Sequence, residues 1–441
     1  MKHNASLLGF TKPPKRQIIP IKDVIVELSK FKEIKLFVYP AVPDVIASSV
    51  ILSKLLSKNI RVAVKVKPLL AMDDVKNEAV LTLGLPLSEV TVKTLNKYAK
   101  GGYLIGLCST KLKVHEKELP FLKCIDHKTS LAVIIWHMLK ETYDFLDYLL
   151  TLSSIIAHNF FKYPKLMFEE MFLSECVSKD ILDRIKGLRI AGANYKPMVE
   201  VLTYSLVPFL FGITGDIAGA EKFLRNHGVH DLKTKLIEHD PVRIKEIVKD
   251  LLNIINKAKE NAWKIEDLIG DTYGLKKKVS ETISDSLELS LILDTVVEVY
   301  GMEKSVFIKE QFPSLIRIYE PEYFAIVRKM SRIMNRLLRE GLREVEVEDR
   351  VLKILYLRKY DMIPYYMLES LLITSGLVEE DDLVAIELGK EILIPYSSLR
   401  RVFGNQLHQV LGKLMGKAHG ESIYGLVFKN VGNIIECLRG V

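Results

Sequence analysis

Cysteine is scarce in this chain. Cys108, Cys124, Cys176 and Cys437 are its four, and none stands in CxxC spacing. That excludes a disulfide scaffold and a zinc ribbon and fits a reducing compartment. No GxGxxG fingerprint and no Walker-type phosphate loop occurs, which removes the common nucleotide-binding frameworks. The histidines lack HExxH or any other metal spacing. Long apolar runs are missing too. The longest uncharged stretch, Val201 to Gly215, carries Pro208 and falls short of the roughly 20 residues a membrane span needs. Charge of one sign is in only modest excess, with a net +8 and a pI near 8.9. Such a balance permits nucleic-acid contact without announcing it. Met1 to Phe10 has no apolar core of a secretory signal, so a cytoplasmic location is expected.

What is present is a folded composition. The 49% hydrophobic and 27% charged fractions exclude a mostly disordered chain, and 441 residues suffice for two or three domains. Residues 1–20, with Pro13, Pro14 and Pro20, read as an extended tail. From Ile34 the pattern alternates between strand and helix. Ile34–Tyr39, Asn59–Lys67, Ala79–Leu83 and Gly102–Leu107 read as strands. Ser48–Leu56, Glu89–Lys100, Ser130–Met138 and Phe145–Ala157 have helical spacing. Alternation with short loops predicts parallel βαβ units and a doubly wound sheet. From about Phe160 to Asp349 the reading is mainly helical, with Pro241 starting one amphipathic helix and Pro321 another over 321–343. Val351–Leu357, Leu383–Leu388, Glu391–Pro395 and Ser422–Phe428 then predict a small mixed α/β domain.

In an open parallel sheet, chemistry sits at the carboxyl ends of the strands. The loop after the first strand, Tyr39-Pro40-Ala41-Val42-Pro43-Asp44-Val45-Ile46-Ala47-Ser48-Ser49, has no glycine. Its residues alone read as a plain turn, with Asp44 or Ser48 near a helix N-terminus. Yet the segment resembles motif I of the DHH phosphoesterase superfamily, in its RecJ-like branch. That motif runs D-x-D-x-D-G-x-x-S after a strand, and its aspartates hold two divalent metals. The three aspartates fall on Pro40, Val42 and Asp44, the glycine on Val45 and the serine on Ser48. Ala79 to Gly84 resembles the second motif, with the metal-binding aspartate on Gly84. Tyr103 to Thr110 resembles the strand ending in the D-H-H triplet, with Cys108, Ser109 and Thr110 in its place. Leu149–His158 resembles the helix of the fourth motif, whose final aspartate falls on His158. Ser205 to Asp216 and Asn226 to Val229 resemble the end of a RecJ-like catalytic domain. Gly412–Gly425 resembles the glycine-rich motif of the DHH-associated domain, where His419 and Gly425 match and Lys417 and Ala418 replace glycines.

The resemblance covers roughly 30–225 and 351–441 and rests on the order and spacing of the motifs. It implies a degenerate DHH-like domain over 21–235, a helical insert and connecting helix over 236–350, and a DHH-associated-like domain over 351–441. Two-metal hydrolysis needs cations about 3.5–4 Å apart held by several carboxylates or imidazoles. Only Asp44 and His158 could contribute, so no cofactor, no metal and no catalysis are expected. Asp126-His127 reads as a loop pair, and Asp73-Asp74 and Glu379 to Asp382 as solvated acidic turns.

The non-catalytic part of the RecJ-like family includes the cell-division-control protein 45 group and its archaeal relatives, which this sequence resembles. The resemblance implies an accessory subunit that joins the GINS complex and the MCM ring in the replicative helicase, with possible contact to single-stranded DNA. Other readings are a non-enzymatic repair or regulatory scaffold of the same fold, or a metal-dependent exonuclease or nanoRNase. Ile363–Met367 and Ile392–Tyr396 read mostly as core but have the aromatic character of interface centres. Arg328, Arg332, Arg336, Arg339 and Arg343 recur at helical spacing, and a long connecting helix flanks the DNA groove in RecJ-like enzymes. The residue reading is a solvated face with an Arg336–Glu340 pair; the functional one is a phosphate track, to which Lys417 and His419 are added.

Overall fold

The computed structural model describes residues 28–40, 42–58, 60–99, 101–108, 122–125, 130–164, 166–277, 279–280, 283–300, 308–348, 350–358 and 363–439. The tail at 1–20, Ser109, Thr110 and the Asp126-His127 pair lie outside them. Five strands, β1 (Glu33–Val38), β2 (Arg61–Val66), β3 (Ala79–Leu87), β4 (Gly101–Cys108) and β5 (Leu122–Ile125), form a parallel sheet in the order β2-β1-β3-β4-β5. The expected doubly wound architecture is what the chain adopts. Along β1, Leu36 and Val38 face the large core, while Phe37 joins Val75, Val80, Leu85, Leu87, Val92 and Leu95 on the opposite face. Period-two alternation of apolar residues is what a sheet covered by helices on both faces demands.

Helices α1 (Pro43–Leu56), α3 (Leu131–Leu139) and α4 (Phe145–His158) share one face of the sheet, and α2 (Glu89–Tyr98) covers the other. β3 contains a bulge between Leu83 and Leu85, with Gly84 at φ 68°. The extra residue flips the alternation: Leu81 and Leu83 point into one core, Leu85 and Leu87 into the other.

The middle of the chain departs from the helical reading. Besides α5 (Met167–Ser178), α6 (Met198–Tyr204), α7 (Ile217–Asn226), α8 (Pro241–Ile255) and α9 (Ser286–Tyr300), it holds an antiparallel pair, β6 (Leu182–Leu188) with β7 (Ile269–Leu275). That pair joins residues on either side of 235, so the expected boundary there runs through a paired element. The α8 start is as read: Asp240 caps it by accepting from Val242 N at 2.9 Å, and Pro241 follows.

The long helix, α10, spans Ile308–Glu340 rather than 321–343. It includes Pro321, ends before Gly341 at φ 75°, and leaves Arg343 on a strand. β8 (Arg343–Val347) pairs with β9 (Arg350–Leu357), so the C-terminal sheet begins earlier than expected. With β10 (Leu383–Leu388), β11 (Glu391–Pro395), β12 (Gly420–Glu421) and β13 (Gly425–Phe428) it runs β12-β13-β11-β10-β9-β8. Helices α11 (Tyr365–Thr374), α12 (Tyr396–Phe403), α13 (Leu407–Lys417) and α14 (Val431–Leu438) complete this half. No helix among the described residues is long and apolar enough to cross a membrane.

One hydrophobic cluster runs from Leu28 to Leu438, so the two sheets share a core. Ile363, Tyr366, Met367, Ile392, Ile394 and Tyr396 are buried in it. These two stretches are packing, not docking surface. Glu298 of α9 helps to join the halves. Its carboxylate accepts from Tyr366 N at 2.7 Å and Met367 N at 3.1 Å, capping α11, whose own N-cap is Pro364. Asp294, one turn earlier, is buried with no hydrogen-bond partner among the described residues.

Burial pushes Glu298 up to about 8. The folded state therefore favours its protonated form. Stability from this group is fully present below the ordinary carboxyl range and is lost as pH rises through about 8. Glu298→Gln should make the pH dependence of the denaturation midpoint shallower across that window. An identical slope in the variant would show that Glu298 does not titrate there.

Candidate functional site at the ends of the parallel strands

In the order β2-β1-β3 the chain leaves β1 toward one edge and returns to β3 on the other side, so the crevice between the carboxyl ends of β1 and β3 is the topological switch point. Pro40, Val42, Asp44 and Gly84 all lie at this crevice, and Cys108 closes β4 beside Leu87. The structure thus gathers positions that the motifs place in one site. Pro40 and Val42 are buried and offer no ligand atom.

Asp44 is fully buried in the first turn of α1, and its carboxylate is spent on the protein itself. Oδ2 accepts from Leu131 N at 2.6 Å. Oδ1 accepts from Ala132 N at 2.9 Å, Ser130 Oγ at 2.7 Å and Ser154 Oγ at 3.0 Å. These amides open α3, where Ser130 makes no side-chain cap of its own. Asp44 acts as the cap from another helix, its charge set against the positive end of the α3 dipole. Ser48 turns back to its own helix, donating to Asp44 O at 2.8 Å.

His158 ends α4 with Nδ1 at 3.7 Å from Asp44 Oδ2. Glu169 completes the buried cluster. It accepts weakly from Ser130 N at 3.4 Å and from Asn159 Nδ2 at 3.1 Å. Burial raises its pKa, and His158 partly offsets that. Among the described residues no three His, Cys, Asp or Glu side chains are placed to hold a metal ion. Two hard cations want about six oxygen-rich ligands each; a saturated Asp44, one imidazole and a Glu169 already bonded to Ser130 and Asn159 fall short of that demand.

Arg400 enters the crevice from α12. It is 5% exposed, and its Nη1 donates to Gly84 O at 3.0 Å. Its guanidinium lies 5.6 Å from the centre of the Tyr39 ring, and Nη2 has no partner among the described residues. Burial lowers its pKa, while Asp44 pulls the other way. Tyr39 Oη donates to Tyr396 O at 3.0 Å. On the far side of β3, His408 Nε2 lies 3.2 Å from Ser88 Oγ and 3.3 Å from Thr91 Oγ1. Sequence reasoning missed Arg400, Tyr396 and Glu169. Arg400 and Tyr396 lie more than 300 residues from the strands they meet, and Glu169, ten residues past Asn159, stands in no motif spacing.

The arginines of α10 divide. Arg328, Arg332 and Arg339 are exposed. Arg336 is half-buried, donates to Tyr356 O at 2.5 Å and lies 3.8 Å from Glu340, the local pair expected of a solvated face. Arg343 reaches Glu387 at 3.7 Å from β8. Lys417 pairs with Glu436 at 2.9 Å at the end of α13, and exposed His419 follows beside β12, so both belong to a different element from the arginines.

No protein-family model and no curated protein matches the chain. Solved structures do. CDC45 from Entamoeba histolytica aligns with a TM-score of 0.59 at 10% identity, over 95% of this chain and 98% of that one. Manganese-bound exonuclease RecJ aligns at 0.38 and 10%, over 95% and 92%. RecJ in complex with Mn2+ from Thermus thermophilus aligns at 0.40 and 11%, over 94% and 52%. The chain has a CDC45-like fold over nearly its whole length.

Asp44→Ala should not be silent. It strands two backbone amides and two hydroxyls in a buried site and should cost on the order of 3–5 kcal/mol in denaturant unfolding. Asp44→Asn, which keeps one acceptor, should cost less. A loss below about 1 kcal/mol for Asp44→Ala would show that water replaces the carboxylate there.

Proposed function

We propose that this chain is a non-catalytic DNA replication factor, an accessory subunit of the replicative helicase that binds GINS and MCM and stimulates unwinding. The CDC45-like fold, matched end to end, supports the class. The observation that carries the reading is the chemistry of the crevice. Proline, valine and glycine stand at three positions where the resembled motifs carry metal-binding aspartates, and the remaining aspartate caps a helix.

A binding role needs surface, and α5 offers it. Leu166, Met167, Phe168 and Met171 are exposed within six residues, with Met167 at 66%. Apolar side chains clustered on one exposed helix mark protein contact, and methionine and phenylalanine are enriched at interface centres. Contact with single-stranded DNA belongs to the exposed Arg328, Arg332 and Arg339, whose guanidinium groups suit phosphate.

The purified chain should show no manganese- or magnesium-dependent cleavage of single-stranded DNA. It should co-elute with GINS on gel filtration and raise MCM unwinding, and Met167→Glu with Phe168→Glu should weaken that complex at least tenfold without changing the melting temperature. Metal-dependent cleavage abolished by Asp44→Asn would overturn the non-catalytic reading, and separate elution at micromolar concentration would overturn the partner.

Replacing Arg328, Arg332 and Arg339 by Gln should weaken single-strand binding and flatten its salt dependence by about 0.7 in log–log slope per lost phosphate contact. An unchanged slope would leave them a solvated face.

A further inference from the structure

A cleft opens between the loop at Ala191 and helices α6, α9 and α10, and none of its lining residues belongs to the crevice at the strand ends. Its empty volume, about 420 Å³ with the open mouth included, is room for one or two side chains and not for a folded partner. Two helices build the mouth in the same way. Glu200 and Tyr204 stand four apart on α6, and Glu320 and Phe324 stand four apart on α10, so each helix turns a carboxylate and a ring to the same side. The two rings meet with centroids 4.3 Å apart at an angle of 43°. Tyr323 lies buried behind them, its Oη donating to Tyr204 O at 3.2 Å.

Charge in the cleft runs against that of the whole chain. The protein carries a net +8, yet the cleft is lined by three carboxylates and one ammonium. Two of these groups satisfy each other. Lys196 Nζ lies 2.5 Å from Glu288 Oε1, while Glu288 Oε2 accepts from Ser284 N at 2.8 Å and Ser284 Oγ at 2.6 Å. Glu200 is exposed at the rim and makes no side-chain bond among the described residues. Burial first, and then Glu288 and Asp285, hold the Tyr323 hydroxyl well above its ordinary range, so the negative field reaches the back wall. An anion is repelled from such a place, which excludes phosphate groups and with them a nucleic-acid strand.

We infer that this cleft is a docking site for an arginine side chain on an extended basic segment of a partner protein. A guanidinium is flat, always charged and weakly hydrated, so it stacks on an aromatic face while its N–H fork engages carboxylates. Tyr204 and Phe324 offer the faces, and Glu200 and Glu320 offer acceptors, one from each helix. A lysine ammonium is a compact, strongly hydrated point charge and gains less from the rings. The mouth is open, so the segment's backbone stays outside and only the side chain enters. The site stands on this cleft alone, whatever the chain's part in replication.

Titrating the isotope-labelled full chain with acetyl-Gly-Gly-Arg-Gly-Gly-amide and following amide chemical shifts tests the assignment. Saturable shifts are expected at Ala191, Tyr204 and Phe324. The same peptide with lysine in place of arginine should bind at least threefold more weakly, and with glutamine it should give no saturable shift. Glu200→Gln, a change at an exposed position, should leave the melting temperature alone, weaken the arginine peptide at least threefold and make its binding less sensitive to salt. Phe324→Leu should weaken arginine more than lysine, which a purely electrostatic contact would not do. The proposal is overturned by an absence of saturable shifts, by equal binding of the glutamine peptide, or by unaltered affinity in Glu200→Gln. Saturable shifts of the same amides on adding magnesium chloride alone would assign the carboxylates to a metal and overturn it as well.

Discussion

A charge taken out of water costs several kcal/mol unless the protein supplies partners in place of the lost hydration, and this constraint organises the junction of the two domains. Asp44 meets it with two backbone amides and two hydroxyls, all within 3.0 Å. Glu298 accepts from two amides at the start of α11 in the same manner, but there burial favours the neutral, protonated carboxyl. Each side chain caps a helix whose own N-cap makes no side-chain bond, and at α3 the helix dipole and the buried charge of Asp44 are balanced together. Arg400 carries the matching positive charge with fewer bonds, held by one carbonyl, an aromatic face and the field of Asp44. Removing any one of these groups leaves its partners dry and unpaired, which is why the crevice tolerates little change.

The same constraint explains why the crevice cannot serve as a helix cap and a metal site at once. A metal site keeps its carboxylate lone pairs free for cations and offsets the crowding of like charge with the cation itself. Here the surviving carboxylate already accepts four hydrogen bonds from the protein. Valine at 42 and 45 and proline at 40 add apolar surface to the core rather than ligand atoms. The substitutions are consistent with one another: apolar residues around a capped helix, a glycine bulge, and an arginine lying over it.

Much of the frame is legible along the chain, because β1, β3, β10 and β11 are apolar runs bounded by turn residues and their ends fall within a few residues of the structure. β5 has only four residues, too few for period-two alternation to register. β6 (LDRIKGL) and β7 (IGDTYGL) carry glycine and charge in their centres, and their pairing spans a separation that local propensity cannot sense. β8 reads as the end of a helix because its arginine continues the spacing of α10. Gly341 in the left-handed region breaks that helix, and a lone glycine in a charged segment is a weak stop signal. Asp44 is legible as a residue near a helix N-terminus, but not that the helix it serves begins at Leu131 rather than at Pro43. Arg400 is silent, since a buried arginine is recognised by what surrounds it and its surroundings come from β1, α1 and β3.

The packing at the crevice bears on where binding can happen. In open α/β sheets the switch point is the default ligand site because loops there splay apart and leave a cleft. Here α12 lies over the crevice, with Arg400 bonded to Gly84 O and Tyr39 to Tyr396 O, and the proposed contacts lie on the outer faces of helices. Two such faces differ in chemistry: the apolar one on α5 and the basic one on α10. An apolar contact gains from burying area and is little affected by salt, whereas a phosphate contact weakens steeply as added salt reduces the gain from counterion release. On the proposed function, a chain with one face of each kind holds a protein partner under conditions where a strand comes and goes. Both helices bury their inner sides in the same core, Phe172 and Leu173 from α5 and Met330 and Met334 from α10.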